Sequence, residues 1–103
     1  MNEVVWLDSY RFSVHSQMAD WSHNGGIYIF CGVNPQNQWV PLYIGQADSF
    51  RNRIPQHEQW NPAVRRGATH VHAMALPELQ RDWVEQRLIQ AYQPHLNVHH
   101  KAF

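Results

Sequence analysis

Apolar side chains fall in short extended runs and then in helical stretches. Ile27 to Val33 is a nearly unbroken apolar run, rich in Ile, Tyr, Phe and Val, as expected of a buried strand. Asn24-Gly25-Gly26 breaks the chain before it, and Asn34-Pro35-Gln36-Asn37 is a polar turn after it. Trp39 to Ile44 resumes the strand pattern and Gly45 is expected to end it, which gives a hairpin. Ala68 to Leu76 alternates, with Thr69, Val71, Ala73 and Ala75 on one face and His70, His72, Met74 and Leu76 on the other, the period of a third strand. Near the start, Val4 to Leu7 and Tyr10 to Val14 are short strand-like runs around an Asp8-Ser9 turn, an accessory hairpin.

Between and after the strands the pattern turns helical. Asp48 or Ser49 can cap a short helix carrying Phe50, Arg51 and Arg53, which Pro55 should end or kink because it lacks a backbone donor. Asn61-Pro62 reads as the start of another helix and Gly67 as its stop. Pro77 opens a longer helix with Val84, Leu88, Ala91 and Tyr92 on one stripe, closed by Pro94. The order strand, strand, helix, strand, helix predicts an α/β fold: a small three-stranded antiparallel sheet flanked by helices, extended by the N-terminal β-hairpin. Residues 1–24 form the N-terminal extension, 25–97 the main domain and 98–103 a C-terminal tail.

Composition narrows the class. A chain of 103 residues with 44% hydrophobic residues and five Trp has material for one core, so disorder and a second domain are not expected. Eight Lys plus Arg balance eight Asp plus Glu, which disfavours tight nonspecific DNA binding. The balance is uneven locally, since Arg51, Arg53, Arg65 and Arg66 share residues 51–66 with a single acid, Glu58. One cysteine, Cys31, cannot form an internal disulfide, and no secretory pattern or membrane-length apolar run occurs, so the expected location is the cytoplasm without membrane attachment.

Gly26-Ile27-Tyr28 on the first core strand and Tyr43-Ile44-Gly45 on the second resemble the paired motifs that name the GIY-YIG nuclease family. Arg53, His57, Glu85 ahead of Leu88-Ile89, and the closing Tyr92, Pro94, Leu96 and Asn97 extend the resemblance over residues 25–97 in the same order. The resemblance implies a metal-dependent endonuclease acting on DNA. In that expectation Tyr28 is the general base, Tyr43 assists the water, Arg53 grips phosphate, His57 takes part in the chemistry, and Glu85 holds Mg²⁺ or Mn²⁺. Gly26, Gly45 and Asn97 are its supporting residues. Related sites occur in homing endonucleases and in the incision subunit of nucleotide excision repair, whose members usually append DNA-binding domains. Here a second copy, a partner protein or a structured target is expected to supply substrate choice.

The residue types suit that chemistry. Phosphodiester hydrolysis needs an activated water, positive charge on the developing phosphorane oxygens and neutralisation of the leaving oxygen. A phenol with an ordinary pKa near 10 is a poor base unless its phenolate is stabilised or its proton moves on, to His57 or to metal-bound hydroxide. Arg53 presents a planar fork for two phosphate oxygens. At about 100° per residue, Glu85 falls between Ile89 and Tyr92 at the border of the buried stripe, where a carboxylate needs either a cation or an i,i+4 pair with Arg81. Pro55 lies between Arg53 and His57, so a kink there decides whether the ring reaches the site.

Bland alternatives stand beside each reading. Tyr28 and Tyr43 can be packing aromatics, Arg53 a solvated arginine, Asn97 a turn cap, and Arg65 and Arg66 a solvated face or a contact to DNA backbone. The alternative for the whole chain is a noncatalytic nucleic-acid or protein interaction module. Eight histidines, including His70, His72, His99 and His100, raise a third idea, a metal carrier, but no spacing matches a zinc module. His70 and His72 are read as strand-surface residues near the site.

Overall fold

A single antiparallel sheet carries the whole architecture. The computed structural model describes residues 3–98, with elements β1 (Glu3–Trp6), β2 (Tyr10–His15), β3 (Gly26–Val33), β4 (Trp39–Ala47), α1 (Phe50–Arg53), α2 (Trp60–Arg65), β5 (Ala68–Ala75), α3 (Glu78–Tyr92) and α4 (His95–Val98). The strand order is β1-β2-β5-β3-β4. Three central strands were expected, and β5, β3 and β4 are those. The N-terminal hairpin completes them to five, because β2 pairs with β5. His99 and His100 lie outside the described residues, and Val98, assigned from sequence to the tail, ends α4.

Alternation along β3 divides the core. Tyr28 and Phe30 join Val71 and Ala73 on one face, covered by Trp21, Phe50, Ile54 and Ala63. Ile27, Ile29 and Cys31 join Ile44 on the other, covered by Trp6, Phe12 and Val84, Leu88 and Ile89 of α3. We call these the tyrosine face and the α3 face. Helix α3 buries Ile89 where the stripe predicted Ala91, which is exposed.

Local chemistry explains the boundaries. Ser49 caps α1 by accepting from the Asn52 N–H, and the helix stops at Ile54, directly before Pro55. Helix α2 begins at Trp60, one residue before the expected cap, which puts Pro62 in the first turn where its missing N–H costs nothing. Gly67, at φ +106°, turns the chain from α2 into β5. Strand β4 runs through Gly45 to Ala47 because Gly26, Ile27 and Tyr28 keep pairing with it. No helix among the described residues is long and apolar enough to cross a membrane.

Candidate active site

The site forms where β3 and the outer strand β4 present tyrosines on one face. Tyr28 pairs with Gly45, and Tyr43 with Phe30, so both phenols share the tyrosine face with ring centroids 6.3 Å apart. Gly45 is required there, since a Cβ would stand 2.5 Å from the Tyr28 hydroxyl oxygen. At Gly26 a Cβ would collide with the Met74 carbonyl of β5, so this glycine permits close strand pairing.

His57 reaches this site past Pro55. The chain leaves the helix after α1 and turns back, burying the ring edge-on to Tyr43 and Phe30 at 5.2 and 5.0 Å. His57 Nε2 lies 2.7 Å from the Tyr28 hydroxyl oxygen. Its Nδ1 accepts from the Gln59 backbone N–H at 3.0 Å. Burial, helped by the Arg53 charge, lowers the His57 pKa from 6.5 to about 4, so the ring is neutral at pH 7. With Nδ1 committed as an acceptor, the single ring proton resides on Nε2 and is donated to Tyr28. Of the two routes for the Tyr28 proton, to His57 or to metal-bound hydroxide, this tautomer disfavours the first, since it has no free lone pair facing the phenol. A donated N–H instead favours the phenolate, opposing the burial that raises the Tyr28 pKa, a rise to which Tyr43 and Glu85 add.

Arg53 also stands in the field of both phenols. Its two terminal nitrogens donate to Glu58 at 2.9 and 2.8 Å, end-on. That hydrogen bond raises the Arg53 pKa and holds Glu58 down to about 2. End-on pairing leaves the side edge of the fork, Nε with its neighbour, for another anion. Glu58 was visible in the sequence only as the lone acid among four arginines.

Glu85 is half-buried and does not pair with Arg81, which instead binds the Asp48 carboxylate and the Leu76 carbonyl. Gln46 of β4 donates its amide N–H groups to Glu85 and Asp82, each at 2.7 Å. Burial raises the Glu85 pKa, the Gln46 bond lowers it and the Asp82 charge raises it. Glu85 adds its charge to the surroundings of both Tyr28 and Tyr43. Among the described residues, no three His, Cys, Asp or Glu side chains gather to hold a metal. An oxygen-only donor such as Glu85, completed by water and phosphate oxygens, nevertheless fits the habits of Mg²⁺ or Mn²⁺.

Two sequence-selected groups lie apart. Asn97 closes the open edge of β4, accepting from the Ile44 N–H at 2.7 Å and donating to the Ile44 carbonyl at 2.9 Å. It supports the site by fixing the strand that carries Tyr43 and Gly45. His72 is fully buried on the α3 face, accepting from the Trp6 indole N–H at 3.1 Å. It is neither exposed nor near Tyr28's face, because β5 lies inside a five-stranded sheet and the hairpin brings Trp6 over it.

The fold and site together define an α/β domain with a buried tyrosine–histidine pair that feels the charges of Arg53 and, from α3 on the other face of the sheet, Glu85. No family model, curated protein or solved structure matches the chain.

Proposed function

We propose that this protein is a GIY-YIG-type endonuclease that hydrolyses DNA phosphodiester bonds. The observation that carries the reading is the 2.7 Å contact between Tyr28 and a neutral His57 whose ring proton must point at the phenol. A buried phenol takes a hydrogen-bond partner in any case; a donor, unlike the acceptor that would serve a packing tyrosine, favours its ionised form.

In this reading the attacking water transfers a proton to the Tyr28 oxygen as its own oxygen bonds to phosphorus and the bond to the leaving oxygen breaks. Tyr28 must first lose its own proton to solvent; the His57 Nε2–H then stabilises the phenolate against the burial that raises its pKa, and Tyr43 orients the water. Arg53 offers its side edge to the phosphate while Glu58 holds the other edge. Glu85, steered by Gln46, is the residue that would hold Mg²⁺ or Mn²⁺. Such a cation, when bound, neutralises charge developing on the phosphate and leaving oxygens.

A noncatalytic interaction module is the second reading, favoured by the Glu58 carboxylate already seated on Arg53. Labelled single-stranded, duplex, branched and flapped DNA incubated with Mg²⁺ or Mn²⁺ separates the two. The nuclease reading expects nicking that Glu85→Gln and Arg53→Ala both abolish, with circular dichroism unchanged. Binding without cleavage on every substrate favours the module, and equal activity in parent and variants points to a contaminant.

A further inference from the structure

The tyrosine face carries a concavity that the proposed chemistry does not use. A cavity of about 310 Å³ lies beside Trp21 and Phe50, floored by Ala73 of β5 and rimmed by His15, Asp20 and Asn24. This volume is at the small end of ligand pockets, which run from about 300 to 1,000 Å³. Tyr28, Ala73 and Ser13 occupy one cross-strand row, so the cavity lies one to two strand spacings, about 5–10 Å, from the Tyr28 position.

Its polar groups are mostly acceptors. The Ser13 hydroxyl donates to the Ala73 carbonyl at 3.2 Å, so its oxygen receives the His15 Nε2–H at 2.7 Å and His15 Nδ1 is left as an acceptor. Among the described residues, neither the Asp20 carboxylate nor the Asn24 side-chain amide has a protein partner. No Lys or Arg lines the cavity, so a phosphate or carboxylate would meet Asp20 without a compensating cation. A flat, uncharged ligand that donates hydrogen bonds from one edge and rests against aromatic and alanine walls is the complementary shape.

We infer that this cavity is a recognition pocket for a nucleobase with an exocyclic amine, such as adenine or cytosine, turned out of a strand whose phosphate lies at Tyr28. Its place beside the reaction rests on the nuclease reading, whereas its ligand preference does not. Adenine and cytosine present exocyclic N–H donors to the acceptor rim, and uracil and thymine present carbonyls there instead. Extruded bases are commonly held in this way, by edge hydrogen bonds between apolar walls.

Titration of the intact protein with adenosine, cytidine, uridine, thymidine and inorganic phosphate, followed by ¹H–¹⁵N NMR, tests the pocket. Saturable shifts are expected at the Trp21 indole N–H and at Asn24 with adenosine or cytidine, at least fivefold weaker with uridine and thymidine, and none there with phosphate. Asp20→Asn, at an exposed position, is expected to weaken adenosine or cytidine binding about tenfold without changing the spectrum elsewhere. Equal response to all four nucleosides, shifts centred away from Trp21, or no shift overturns the inference. Nucleoside binding by a protein that cuts no DNA supports the pocket and counts against the nuclease; cutting without nucleoside binding does the reverse.

Discussion

Two buried histidines on opposite faces of one sheet share an electronic arrangement and differ in what it is aimed at. His57 and His72 are both shielded, and burial is the first cause lowering each pKa to about 4. Each spends Nδ1 accepting a fixed N–H, from the Gln59 backbone in one case and the Trp6 indole in the other. Each therefore carries its proton on Nε2. His57 donates that proton to Tyr28, whereas His72 Nε2 has no hydrogen-bond partner among the described residues. Trp39 stands perpendicular to the His72 ring at 4.5 Å, a geometry suited to a weak N–H···π contact. Burial and a shifted pKa do not tell the two rings apart; the group facing the free N–H does.

The largest effect that breaks this symmetry is His57→Phe. Phenylalanine keeps the edge-on packing against Tyr43 and Phe30 but removes the donor from the Tyr28 oxygen. Cleavage is expected to fall by about 10² or more, the scale of a positioned acid–base group. The loss should appear in kcat more than in KM, because phosphate binding by Arg53 is untouched. Unchanged single-turnover rates would remove the proton-donor role.

Acid titration gives the next effect, and there the two rings act alike. Each pKa drops from 6.5 to about 4 on folding, so between those values the unfolded chain binds protons that the folded chain refuses. Stability therefore rises with pH through this window, is fully present above 6.5 and is lost as pH falls toward 4, by on the order of 3 kcal/mol per ring. Glu85, raised by burial, partly offsets the loss by taking up a proton on acidification. Guanidinium unfolding at pH 7 and 4.5, compared between the parent and each histidine variant, isolates the rings. Each variant should lose less stability between the two pH values than the parent, and identical pH dependence in all three proteins would contradict buried neutral histidines.

The two rings also mark what the sequence could reveal. Alternation along β3 and β5 and the turn residues give the central hairpin and third strand, because those signals are local. Pro55 gave the end of α1, but the return of the chain that buries His57 depends on packing against Phe30 and Tyr43. His72 looked like a surface residue because the pattern of β5 alone cannot show Trp6, 66 residues away, covering it. Gln46 was hidden for the same reason: its partner Glu85 is 39 residues distant and on a helix. What the sequence concealed at the site are contacts between elements, and these decide where each proton sits.

The smallest expected effect completes the comparison. His72→Phe at pH 7 removes an acceptor from the Trp6 indole N–H, leaving a buried donor unpaired at a cost of about 1–3 kcal/mol. It also removes the unpartnered His72 Nε2–H and its desolvation, which offsets part of that cost. The net loss should be about 1 kcal/mol, read as a shift in the denaturation midpoint without a change in slope. DNA cleavage should match the parent, because His72 packs against Trp6 and Trp39 on the face of the sheet opposite Tyr28. A drop in cleavage as large as that from His57→Phe would show that the two faces are coupled through β5, and the functional distinction between the histidines would fail.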